Sequence, residues 1–70
     1  MKKSALDMRL IAARASVRVS ANDYTALELK GIAGAAKAAG KTVCIADAKE
    51  LSTLQVKNVA RYGCVTFDFT

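Results

Sequence analysis

Two cysteines, four scattered carboxylates and a row of cations are the side chains of this 70-residue sequence with chemistry to offer. Cys44 and Cys64 fall on short runs that read as neighbouring strands, both on the polar face of the run. A cysteine nucleophile or redox pair acts through its thiolate, which a histidine or a helix N-terminus stabilises. The chain has no histidine; Arg18 is the cation that strand alternation brings near Cys44. The expectation is therefore a pair of small, unreactive side chains, with a redox pair as the alternative.

Asp23, Asp47, Glu50 and Asp68 collect where strands end and helices begin, the edge at which parallel sheets bind ligands. Three carboxylates there would suit a divalent cation. Complementing helix N-termini is the simpler role and the expected one. The strand-to-helix turns Ala21-Asn22-Asp23 and Asp47-Ala48-Lys49 lack the glycines of a phosphate loop. No convergent polar site emerges, so neither an enzyme nor a cofactor nor a resident metal is expected.

Arg9, Lys30 and Lys57 hold the same place in three copies of a short pattern, and Lys37 extends their row. On adjacent helices they would stand about 8–10 Å apart, a spacing open to phosphates or to an acidic protein. No aromatic residue interleaves with them, which argues against stacking on single strands. Eleven Lys+Arg against six Asp+Glu give a net charge of +5, which favours acidic partners. A plain solvated face is the simplest account of the row.

The pattern that positions these residues is centred on Thr25–Ala36, TALELKGIAGAA. It recurs upstream from Ser4 to Ala12 and downstream from Ser52 to Ala60, as [Ser/Thr]-small-Leu-[Asp/Glu/Gln]-apolar-[Arg/Lys]-x-[Ile/Val]-Ala. Each copy opens with a capping box, Ser4/Asp7, Thr25/Glu28 and Ser52/Gln55. The second and third add hydrophobic staples, Tyr24 with Leu29 and Leu51 with Val56. Copy one has Lys3 there instead, so its helix is the one expected to fray. Helices are read over 4–15, 25–39 and 52–62, the last two closed by Gly40 and Gly63. Strands are read over 16–20, 43–46 and 64–69 from their period-two alternation.

The order α-β-α-β-α-β implies a parallel sheet with right-handed crossovers. One strand face is apolar and the other polar, so the helices should cover one side. The expected fold is α/β: a short three-repeat (αβ)3 solenoid, with a parallel three-stranded sheet in order 1-2-3 and helices on one face. The spacing Leu51-x-x-Leu54-x-Val56-x-x-Val59, echoed by Tyr24-x-x-Leu27-x-Leu29-x-x-Ile32, superficially resembles the leucine-rich-repeat frame. Ile11, Ile32 and Val59 stand where that frame carries Asn or Cys, and helices start where it has a strand. The resemblance thus extends to the kind of architecture alone.

On a helical wheel Leu29, Ile32, Ala33, Ala36 and Ala39 of the second helix share the sheet-facing side. Its flanks are small or apolar as well, which marks a middle helix. At the positions matching Gly31 and Gly34, helix one carries Leu10 and Ala13 and helix three carries Asn58 and Arg61. Each outer helix thus has one apolar or amphipathic flank for its neighbour and one charged flank. The chain reads as a finished single domain over 1–70, with repeats at about 4–20, 21–46 and 47–70.

Composition bounds the rest. At 53% hydrophobic but 6% aromatic, the core must be aliphatic and alanine-rich. Met1-Lys2-Lys3 resembles the start of a signal peptide, but Asp7 and Arg9 interrupt the apolar run that would have to follow. No uncharged run is long enough to span a membrane. A cytoplasmic, non-enzymatic interaction module is expected, with no membrane partner. The third strand, Val65-Thr66-Phe67-Asp68-Phe69, has an outer edge without proline or lysine. Together with the open sheet face it is expected to form a homodimer and/or to receive an acidic protein. The alternative is a basic nucleic-acid-associated protein binding phosphates through Arg9, Lys30, Lys37 and Lys57.

Overall fold

A computed structural model describes residues 3–69. Met1 and Lys2 of the basic start, and Thr70 at the end of the expected third repeat, lie outside the described residues. The order is α1 (Ala5–Ala12), β1 (Val17–Ser20), α2 (Ala26–Ala39), β2 (Val43–Ala46), a 3-10 turn (Ala48–Glu50), α3 (Thr53–Ala60) and β3 (Val65–Phe67). The strands form one open sheet in the order β1-β2-β3. Both pairings are parallel, with Val17 opposite Val43 and Val43 opposite Val65. The chain is therefore an α/β fold of alternating helices and strands.

The capping residues act much as their types dictate. Thr25 and Glu28 make a reciprocal box at α2, as do Ser52 and Gln55 at α3. At α1 the Ser4 hydroxyl accepts from the Asp7 amide at 3.2 Å, but no return bond from the Asp7 carboxylate closes a box. Aspartate is one methylene shorter than the glutamate or glutamine that reaches back elsewhere. Gly40 ends α2 in the left-handed region at φ 71°, where its amide reaches the carbonyls of Ala36 and Lys37. This conformation suits a residue without Cβ. The outer helices stop earlier than the sequence reading, at Ala12 and Ala60, because the last turns tighten. The amides of Arg14 and Ala15 both reach the Ile11 carbonyl at 2.9 Å, so the chain leaves the helix there.

The core lies between the helices and one sheet face. Leu29, Ile32, Ala33 and Ala36 of α2 are at most 1% exposed and pack with Val43 and Ile45. Helix α2 is the most buried: α1 contributes Met8 and Ala12, and α3 contributes Val59. On the other sheet face Arg18 and Thr66 are exposed. The expected length of the third strand changes. β3 comprises three residues, not six, and is shorter than the four-residue β1. Its hydrogen bonding nevertheless runs on, the Asp68 amide donating to the Ile45 carbonyl at 2.9 Å. The contact flank expected for α1 also differs. Leu10 and Ala13 are exposed; α1 instead turns Met8 and Ala12 into the core and lays Arg9 over Gly31 of α2.

Candidate functional site

Strand alternation sets what the open sheet face displays. Arg18 of β1 points out beside Cys44 of β2, its register partner. The guanidinium donates to the Cys44 sulfur at 3.4 Å and to an Asp68 carboxylate oxygen at 3.2 Å. The ion pair bridges the first and last strands over the middle one. Its arginine is 62% exposed, and water-exposed pairs of this kind contribute little to stability.

Cys64 is a correction. Strand alternation puts it on the same polar face as Cys44. Instead its thiol turns to the helix side and donates to the Ala33 carbonyl of α2 at 3.4 Å. Gly63 at φ 76° reorients the chain just before it, and the strand begins only at Val65. The two free thiols therefore have separate surroundings, and no redox pair is assembled.

The carboxylates also disperse into local roles. Asp47 accepts the Ser20 hydroxyl at 2.7 Å, tying the end of β1 to the turn after β2. It does so from the left-handed region at φ 58°, a conformation aspartate tolerates better than most residues. Asp68 pairs with Arg18, while Asp23 and Glu50 lie exposed. Among the described residues no three acidic, histidine or cysteine side chains come together to hold a metal ion. Nor does a cavity open among them. What the structure offers is surface.

One surface is the outer edge of β3. Inward-facing bonds run from the Val43 amide to the Cys64 carbonyl and from the Asp68 amide to Ile45. In a parallel ladder the intervening residues face the other way. The backbone groups of Val65 and Phe67 are thus turned to the free edge, with Thr66 facing inward. The Phe67 and Phe69 rings stack with centroids 5.9 Å apart; Phe67 packs against the core, while Phe69 is 54% exposed.

The other surface is the outside of the helix layer. Arg9, Lys37 and Lys57 are exposed and Lys30 is half-buried. Arg9 does not stand free in a solvated row. Its Cδ and Nε lie 3.3 and 3.4 Å from the place a Cβ on Gly31 would occupy, so the side chain crosses onto α2. Tyr62 lies over Gly34 in the same way from the opposite side, its Cε1 3.5 Å from such a Cβ. Sequence reasoning missed the residues beside these cations. Leu6, Leu27 and Leu54 are 63, 76 and 66% exposed, and Leu10 is 63% exposed. The signal was present, since the repeat carries leucine at the third position of every copy. The wheel, however, counts Leu27 with the small and apolar flanks of a helix read as buried on three sides, and at 76% exposed it is not buried.

Tyr24 joins the first two helices. Its hydroxyl donates to the Lys3 carbonyl at 2.6 Å. Burial raises the phenol above its ordinary range, and the carboxylates of Asp23, Glu28 and Asp7 add to the rise. Comparison with protein-family models, with curated proteins and with solved structures finds no match to this chain. No helix among the described residues is long and apolar enough to cross a membrane.

Proposed function

We propose that this protein is a small non-enzymatic interaction module, built as three repeats, that pairs with a second copy of itself through the edge of β3. The observation that carries the reading is the combination of outward backbone groups at Val65 and Phe67 with the exposed Phe69 ring. A strand edge lacking proline and lysine is a ready template for another strand. Two identical edges meeting about a two-fold axis give a closed, isologous dimer. The open face beside it, with Arg18, Cys44, Thr66 and Asp68, would border that contact. A cytoplasmic setting fits two free thiols with unrelated partners.

The test is light scattering of the wild type and of Phe69→Lys at high micromolar concentration. The wild type should have the mass of a dimer and the variant that of a monomer, with unchanged circular dichroism. A monomeric wild type would refute the reading.

A further inference from the structure

A single exposed leucine needs no explanation, whereas an ordered set of them does. Leu6, Leu27 and Leu54 each stand two residues after a helix cap, and all three face solvent. They also lie level. The bond from the Tyr24 hydroxyl to the Lys3 carbonyl holds the start of α1 beside the residue that precedes the α2 cap. Ser20 and Ala46 are in register. Four residues lead from Ser20 to the Thr25 cap and five from Ala46 to the Ser52 cap, so α2 and α3 start at similar heights. Neighbouring helices pack about 8–10 Å apart. The three leucines therefore form a line across the helix layer at that spacing.

A second line runs beside the first. Three positions after each leucine comes a cation: Arg9, Lys30 and Lys57. A rise of three residues sets this line about 4.5 Å further along the helices, and the helical period turns Arg9 toward α2 and Lys30 toward α3, with Lys57 on the free flank of the last helix. Arg9 shows the turn directly, lying over Gly31 of α2. Gly31 and Gly34 keep the centre of the face low between Arg9 and Tyr62.

We propose that this face docks an acidic amphipathic helix of a partner protein, laid across α1, α2 and α3. Its apolar residues, at heptad spacing, would sit on Leu6, Leu27 and Leu54, and Asp or Glu along one flank would face Arg9, Lys30 and Lys57. The spacing fits, because seven residues of α-helix rise about 10.5 Å, close to the distance between packed helices. Helices recognised in this way present apolar anchors on one face and charge beside it. The sign of the charge selects the occupant. A second copy would set one cation line against another. A nucleic-acid backbone would match the cations and leave the leucines in contact with phosphate and water. A bilayer would gain nothing from the heptad spacing or the low centre of α2. This surface is separate from the β3 edge, so the inference stands apart from self-association.

The experiment uses fluorescence anisotropy with a labelled synthetic peptide of about 20 residues, with leucines at heptad spacing and glutamate on the flanking positions. Controls are the same peptide with lysine for glutamate, a scrambled acidic peptide, anionic vesicles and a short DNA duplex. The wild type should bind the acidic helix at least tenfold more tightly than either peptide control. The triple variant Leu6→Ser/Leu27→Ser/Leu54→Ser should lose at least tenfold in affinity. Arg9→Gln/Lys30→Gln/Lys57→Gln should lose as much, and its residual binding should be insensitive to salt. Phe69→Lys should bind like the wild type. Circular dichroism and melting temperature are measured for every variant, and Leu27→Ser alone, with a smaller loss, replaces the triple if that fails to fold. Absence of peptide binding, equal binding of the scrambled peptide, or full binding by the leucine variant would overturn the proposal. So would tighter binding to vesicles or duplex, or loss of the dimer on changing the leucines.

Discussion

Tyr24 illustrates how much one side chain can hold. It stands just before the α2 cap, is 8% exposed, and grips the Lys3 carbonyl with its hydroxyl. Tyr24→Phe should cost about 1 kcal/mol at neutral pH, the usual worth of such a bond. Burial first, then Asp23, Glu28 and Asp7, raise the phenol's pKa in the folded state. A raised acid favours the folded state while it keeps its proton. Its contribution is full below the ordinary phenol range and is lost as pH rises through the raised value. Urea denaturation at roughly pH 8 and pH 11 should therefore show the gap between wild type and Tyr24→Phe narrowing at the higher pH. At this scale the sequence was legible where alternation governs: Arg18 was expected beside Cys44 and lies there. It was not legible at Cys64, because the left-handed Gly63 turns the thiol toward α2, and alternation says nothing of a residue outside the strand.

At the scale of elements, local hydrogen bonding made the helices readable. Three caps in register located their starts, and Gly40 located the end of α2. The ends of α1 and α3 were less readable, since the alanine and arginine there tolerate both a helical turn and a tightened exit. The leucine line was unread for another reason. A wheel ranks faces by hydrophobicity, and leucine on the side away from the sheet looks like part of a wide apolar helix. Burial makes a sharp prediction for α2. Ile32 is fully buried and Lys37 is exposed on the same helix. Ile32→Ala should lose about 2–5 kcal/mol, and Lys37→Ala should fall within about 0.5 kcal/mol of wild type. Chemical denaturation of both variants measures the contrast, and equal losses would contradict the burial described.

For the whole molecule, a single helix layer on a three-stranded sheet leaves little apolar burial in reserve. Association would then be felt in stability. Raising the protein concentration tenfold should raise the melting temperature of the wild type and leave that of Phe69→Lys unchanged, as followed by calorimetry. The overall topology was legible because alternating helices and strands leave few ways to connect a small sheet. Surfaces were less legible, since they depend on which residues the packing leaves outside. The neighbour-to-neighbour order also bears on synthesis. α1 packs on α2, β1 on β2, α2 on α3 and β2 on β3. Each segment leaving the ribosome therefore finds its partner in the unit made just before it. A growing chain can close β1 against β2 under α2 while α3 is still in the exit tunnel, so an apolar strand need not wait exposed for a distant mate.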